Sequence, residues 1–214
     1  MIRKRKEPIV GVLDYGMGNL RSVAKSFEAV GAKVRVSSSR RVLAGSDLLV
    51  VPGVGAFDAA MSVLRRKKLD GFIRRWVAGG KPYFGICLGL QLLFEKSDES
   101  PRVRGLGILP GRVRRFSVDR ALKVPHMGWN RVAWSGARPG PARPDCFYFV
   151  HSFFPQPKDR SIVWGKTSYG RPFCAAVAAG NIRATQFHPE KSGSNGLKFL
   201  KRLMAGIERG RWGS

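Results

Sequence analysis

Tyr83-Phe84-Gly85-Ile86-Cys87-Leu88-Gly89-Leu90-Gln91 reads as a short apolar strand, Tyr83 to Ile86, that turns directly into a helix running from Leu88 to about Glu95. The centre of this stretch has the form Gly-x-nucleophile-x-Gly, and its placement at a strand-to-helix junction is the geometry of a nucleophile elbow. Gly85 and Gly89 have a steric reason to be there, because the turn is tight and a Cβ on either flank would crowd the neighbouring backbone. A thiol at the start of a helix is also favoured as thiolate by the free N–H groups and the dipole. Spacing alone leaves two readings of Cys87 open: an attacking thiolate, or a small buried hydrophobe.

Outward from the elbow, strands and helices alternate, as in a parallel sheet covered on both faces. Ile9 to Asp14 is a strand; Asn19 to Val30 has helical spacing (Leu20, Val23, Ala24, Phe27, Val30) and stops at Gly31. Val34 to Val36 and Asp47 to Val51 are strands, the second ending in Pro52-Gly53-Val54-Gly55, and helices follow at Ala56 to about Arg66 and Leu69 to Val77. From Gly105 onward short segments rich in Val, Phe, Tyr and Trp predict antiparallel or mixed strands: Asn130 to Trp134, Phe147 to Phe153, Ile162 to Lys166 and Phe173 to Phe187. A helix at about Ser194 to Ile207 closes the domain, and Arg138 to Pro144 reads as an exposed loop. The expected fold is α/β: one domain with a central, mostly parallel sheet flanked by helices, plus a smaller antiparallel or mixed sheet region. That domain spans 8–207, with a basic extension at 1–7 and a tail at 208–214.

A chain of 214 residues can bury one such core without a disulfide or metal staple. Cys87, Cys146 and Cys174 are an odd number, far apart, without a Cys-x-x-Cys pair, so neither a disulfide framework nor a zinc site is expected. No cofactor and no metal are expected. The basic start at Arg3 to Lys6 lacks the apolar run of a signal peptide, and no segment has the length of a membrane span, so the expectation is a soluble cytoplasmic chain. The net charge of +25, from 39 Lys and Arg against 14 Asp and Glu, brings polyanions to mind. Apart from Arg3 to Lys6 and Arg65 to Lys68, however, the cations are dispersed singly or in pairs, without an interleaved aromatic stripe. That pattern favours a solvated basic surface or an acidic protein partner over nucleic acid.

A thiol nucleophile needs a base, and the histidines are His126, His151 and His188. His188 lies in Gln186-Phe187-His188-Pro189-Glu190-Lys191, after an expected strand, where Pro189 stiffens the turn and Glu190 is close enough to orient the imidazole.

These segments resemble the class I glutamine amidotransferases. Asp14-Tyr15-Gly16-Met17-Gly18-Asn19-Leu20, Pro52 to Phe57, Pro125-His126-Met127-Gly128-Trp129-Asn130 and Tyr148-Phe149-Val150-His151-Ser152 are similar, within that class, to the glutaminase subunits of imidazole glycerol phosphate synthase. The resemblance implies a Cys87–His188–Glu190 triad, and an oxyanion hole from the backbone N–H of Leu88 with that of Gly53 or Val54. It implies that Gln91 binds L-glutamine, with Gly55, Tyr148 and Ser152 also at the substrate and Glu95 either assisting or merely at the surface. His126 and His151 become structural or substrate-lining residues. Asn19, Trp129 and Asn130 are placed at an interface with the cyclase subunit of a heterodimer, Trp129 as a candidate hinge. Two other readings stay open at this point: a glutaminase serving a different synthase, such as one amidinating a surface sugar, and a basic nucleic-acid-binding protein.

Overall fold

The computed structural model describes residues 7–117, 122–135, 145–210 and 212; Arg3 to Lys6 and the whole of the Arg138–Pro144 loop lie outside them. In chain order the elements are β1 (Ile9–Leu13), α1 (Leu20–Glu28), β2 (Lys33–Ser37), α2 (Arg40–Ala44), β3 (Leu48–Gly53), α3 (Phe57–Arg66), α4 (Leu69–Ala78), β4 (Tyr83–Cys87), α5 (Leu88–Gln91) and β5 (Phe94–Ser97). Then come β6 (Leu109–Arg115), β7 (His126–Trp134), β8 (Asp145–His151), β9 (Phe153–Pro157), β10 (Val163–Tyr169), β11 (Arg171–Ala179), β12 (Ile182–Thr185) and α6 (Gly193–Glu208).

Nine strands form one sheet in the order β2-β1-β3-β4-β12-β11-β10-β7-β8, and β5, β6 and β9 form a second. The expected parallel sheet is therefore half of a mixed one. The contacts from β2 through β12 are parallel, and those from β12 to β8 are antiparallel. Most of the Phe- and Val-rich segments of the second half extend the large sheet, while Phe153–Pro157 joins β5 and β6 in the smaller, mixed sheet. The predicted strand Phe173 to Phe187 is a hairpin: β11 turns at Gly180-Asn181 and returns as β12, which pairs antiparallel with β11 on one side and parallel with β4 on the other.

Period-two alternation sorts the central strands into two cores. Val10, Val12, Leu48, Val50, Phe84 and Ile86 face α1 and α6, packing with Phe27, Phe199 and Leu200. Leu13, Leu49, Val51 and Tyr83 face α3 and α4, packing with Phe57, Met61, Leu64 and Ile73. Each such side chain, fully buried, contributes roughly 1.5–3 kcal/mol.

The helix expected from Leu88 to Glu95 is a single turn ending at Gln91. Phe94 leaves it to pair with Leu109 in the second sheet, and the Glu95 carboxylate accepts from the Gly111 N–H at 2.8 Å. Glu95 therefore braces that sheet, and the role of substrate helper does not hold. The short helix exists because its backbone lies against the strands: a Cβ on Gly89 would sit 1.8 Å from the Val51 carbonyl oxygen, and one on Gly85 would sit 2.7 Å from the Gly89 oxygen. Among the described residues no helix is long and apolar enough to cross a membrane.

Candidate active site

Three neighbouring strands converge on one point. β3 ends opposite β4 with Gly53 paired to Cys87, and β12 ends on the other side of β4 with Thr185 paired to Ile86, so Gln186, Phe187 and His188 emerge beside the elbow. The carboxyl ends of parallel strands are where α/β sheets build their sites. Cys87 is 7% exposed and has φ +53° and ψ −104°, a region that costs a residue with a Cβ on the order of 1–3 kcal/mol.

His188 Nδ1–H donates to Glu190 Oε1 at 2.7 Å, both side chains being almost fully buried. Glu190 Oε2 is buried without a hydrogen-bond partner, so the imidazole receives the carboxylate's charge. His188 Nε2 makes no hydrogen bond of regular geometry, yet the Cys87 sulfur is near enough to act on the ring as charge and as hydrogen-bond partner. Burial by itself would lower the pKa of His188. Cys87 and then Glu190 outweigh it and hold the pKa up at about 10. The ring is thus an imidazolium at neutral pH, paired with sulfur on one side and carboxylate on the other. The main chain fixes the ring's position: His188 N–H donates to the Tyr148 carbonyl at 2.9 Å, and Ser192 Oγ donates to the His188 carbonyl at 2.6 Å.

The other two histidines are shifted the opposite way by burial, His126 to about 4 and His151 to about 3. Both are neutral at pH 7, and their tautomers follow from one carbonyl. His151 Nδ1 lies 2.8 Å from the Phe153 oxygen, which only accepts, so Nδ1 carries the proton and Nε2 accepts. His126 Nδ1, 3.0 Å from His151 Nε2, is then the donor, and His126 Nε2 accepts from Asn130 Nδ2 at 3.2 Å.

A cavity of about 460 Å³ opens at Cys87, with Val54, Gly55 and Leu88 on its wall. Gln91 and Ser152 also line it, together with Glu99 and Lys191. Gln91 Nε2 donates to the Phe153 carbonyl at 2.9 Å and to Gln186 Oε1 at 3.2 Å. Glu99 Oε2 accepts from the Phe57 N–H at 3.0 Å, and burial raises its pKa, a rise reinforced by Asp58 and opposed by that hydrogen bond. Gly53 is not on the cavity wall but packs beneath it; a Cβ there would meet the Tyr15 hydroxyl at 2.4 Å. Tyr15 in turn donates to the Pro52 carbonyl at 2.9 Å, and its own pKa is raised by burial and then by Cys87. Tyr148 is likewise absent from the wall: its backbone clamps His188, while its ring meets Trp129 edge-on at 6.2 Å.

Among the residues expected at an interface, Trp129 is 59% exposed and Met127, on the same face of β7, is 62% exposed. Asn130 instead turns its amide inward, to the Ser168 carbonyl at 2.8 Å and to His126. Asn19 caps α1, accepting from the Ser22 N–H at 3.2 Å, and the adjacent Gly18 lies against the Pro52-Gly53 backbone. Glu99, Gln186 and Lys191 are brought to the site without having been singled out from the sequence. Gln186 and Lys191 lie in the His188 segment and were legible there as neighbours. Glu99 sits in a turn, with no local signal. Among the described residues no group of three His, Cys, Asp or Glu side chains is arranged to hold a metal ion.

Comparison with known proteins gives a concordant result. The family model described as glutamine amidotransferase class-I matches residues 11–205. The imidazole glycerol phosphate synthase subunit HisH of Rhodopirellula baltica is 47% identical over 197 residues, covering 91% of this chain and 96% of that protein. The subunit of the same name from Aquifex aeolicus is 49% identical over 202 residues, covering 92% and 97%. Among solved structures, a crystal structure of a glutamine amidotransferase superposes with a TM-score of 0.74 at 21% identity, covering 94% of this chain and 98% of the other. The PurLQS structure from Thermotoga maritima gives 0.70 at 19%, covering 95% and 99%, which speaks to the fold.

Proposed function

The chain belongs to the class-I glutamine amidotransferases and, within them, to the HisH subunits of imidazole glycerol phosphate synthase, and on that premise we propose that Cys87, His188 and Glu190 hydrolyse L-glutamine as a catalytic triad. The observation that carries this reading is the register of β12 beside β4, which sets an imidazolium held by Glu190 against the Cys87 sulfur.

The Cys87 thiolate attacks the side-chain amide carbon of glutamine. The oxyanion that forms is held by the Leu88 N–H together with that of Gly53 or Val54, donors worth most where charge develops. His188 delivers its proton to the departing ammonia, leaving a thioester, then takes a proton from water so that hydroxide attacks the thioester, releases glutamate and restores the Cys87 thiolate–His188 imidazolium pair. Glu190 keeps the ring in the tautomer and orientation that both steps need. Gln91, Gly55 and Ser152 line the substrate, and the half-buried Glu99 is the group on the cavity wall suited to the α-ammonium of an amino acid. Glu99→Gln is expected to raise KM for glutamine about tenfold with kcat nearly unchanged, from the loss of one charge-assisted contact of ~1.4 kcal/mol; steady-state glutamate release measures it, and an unchanged KM would remove Glu99 from the site.

Ammonia freed into water at neutral pH is mostly ammonium, a poor nucleophile. Its use therefore calls for delivery to a second active site, on the cyclase subunit that makes imidazole glycerol phosphate and an aminoimidazole carboxamide nucleotide in histidine biosynthesis. The exposed Trp129 and Met127 support a docking face for that subunit beside the site, and a cytoplasmic location accords with such a biosynthetic heterodimer. The test is glutamine hydrolysis by the chain alone, with the cyclase, and with the cyclase plus its acceptor nucleotide. Activity is expected to be low alone and strongly stimulated in the loaded complex. Equal rates in all three would overturn the coupling.

A further inference from the structure

The deepest polar side chain at the site is one that the triad leaves out. Gln186 is 0% exposed, two residues before His188, and its Nε2 lies 3.5 Å from the Cys87 sulfur. Which end of this amide faces the sulfur follows from its neighbours. The Phe153 carbonyl can only accept, so the Gln91 atom 2.9 Å away is its NH2 group. That NH2 group also lies 3.2 Å from the near atom of the Gln186 amide, which must accept and is therefore Oε1. The other end, facing Cys87, is then the NH2 donor. The Phe153 carbonyl has two lone pairs and two donors, Gln91 Nε2 and His151 Nδ1, and His151 is locked as a donor by the His126 and Asn130 contacts that stand behind it. One chain of fixed polarity thus runs from Asn130 to the sulfur, and no member can turn over without stranding a buried polar group.

We propose that Gln186 is a catalytic hydrogen-bond donor to the Cys87 sulfur, stabilising the thiolate before attack and as it is expelled from the thioester. This rests on the reading of Cys87 as the nucleophile. A buried thiolate flanked only by His188 would have its charge supported on one side; the Gln186 amide adds a neutral donor that stays in place when His188 gives its proton to ammonia. Because it carries no proton to transfer, it acts at the same strength in both half-reactions. The titratable groups around the sulfur and its cavity are Tyr15, Glu99, His151, His188, Glu190 and Lys191, and in these variants all of them are left in place.

Two substitutions separate donation from mere packing. Gln186→Met keeps the shape and loses both hydrogen bonds; Gln186→Glu keeps an acceptor for Gln91 and replaces the donor with a carboxylate. In the complex with the cyclase subunit, both are expected to cut kcat by about tenfold or more, in line with a hydrogen bond to a charged group. Both should slow iodoacetamide alkylation of Cys87 by about tenfold at pH 6.5. For Gln186→Met the difference should narrow as the pH is raised, because alkylation then depends less on what favours the thiolate. If Gln186 only held Gln91, Gln186→Met would lose turnover yet leave Cys87 alkylating at the parent rate, and that result overturns the proposal. Should either variant fail to fold, the side-chain amide protons of Gln186 in the unsubstituted chain give a second reading. Their resonance is expected to move upfield when Cys87 is replaced by Ala, and an unmoved resonance also overturns it. Failure of the underlying reading looks different: Cys87→Ala would then retain glutaminase activity whatever Gln186 does.

Discussion

Cys87→Ala is expected to remove glutamine hydrolysis by about 10⁴-fold or more, the scale of losing the nucleophile of a triad, while leaving the fold and the cyclase docking face intact. Glutamate release in the loaded complex measures the loss, and activity within tenfold of the parent would sink the mechanism. The same substitution has a second, independent signature. Burial lowers the pKa of His188, and the Cys87 charge and hydrogen bond are the first influences that raise it to about 10. In Cys87→Ala those two are gone, so the His188 pKa is expected to fall, which imidazole NMR titration reads directly. A Cys87→Gly variant, equally inactive, should be more stable than Cys87→Ala by about 1 kcal/mol, because glycine occupies φ +53°, ψ −104° without Cβ strain. Thermal unfolding of the pair would then measure the backbone strain held at the elbow.

Glu190→Gln is expected to lower kcat by about 10²–10⁴-fold with little change in KM, as when the orienting acid of a triad becomes an amide. The amide can present an N–H to His188 Nδ1, 2.7 Å from the present carboxylate oxygen, and so favours the tautomer with its proton on the wrong nitrogen. The sign of the accompanying pH effect is fixed by linkage. The folded-state pKa of His188 lies above its unfolded value of 6.5, so its contribution to stability is fully present below pH 6.5 and is lost as pH rises through about 10. Glu190 supports that raised value by charge and by hydrogen bond. In Glu190→Gln the upper end of the window should therefore move down, narrowing the alkaline range over which stability declines. Denaturant unfolding followed from pH 6 to 10 would show it; an unchanged pH dependence would mean that the carboxylate does not hold the ring charged.

How much was legible depends on how far each feature reaches along the chain. The Asn19–Val30 segment showed its helix because Leu20, Val23 and Phe27 repeat at a helical interval within a few turns. The helix expected behind Cys87 was cut to one turn because Phe94 finds a strand partner at Leu109, a pairing that no local spacing contains. Glu95 went with it, from the edge of the site to the second sheet. Asn130 was expected to face a partner, but the Ser168 carbonyl, 38 positions along, draws its amide inward. Glu99 was invisible as a site residue because a turn carries no periodic signal, and its place on the cavity wall depends on where the end of β5 lands.

The sequence by itself determined the elbow and the His-Pro-Glu turn that carries the proposed base. Gly85 satisfies a steric demand that lies within five residues, the Gly89 carbonyl, whereas that on Gly89 comes from Val51 on a neighbouring strand, and His188-Pro189-Glu190 is a unit whose internal reach is one turn. Only the tertiary structure decided which histidine stands beside Cys87. His188 is carried to Cys87 by a strand pairing that joins Thr185 to Ile86, and its charge is sustained there by two neighbours; His126 and His151 are buried without such a charge beside them and are held neutral. A pKa is a balance of desolvation against nearby charge. Both quantities are set by residues distant in sequence, and for the same reason the amide of Gln186 acquires its direction only once Phe153, Gln91 and Cys87 have been packed around it.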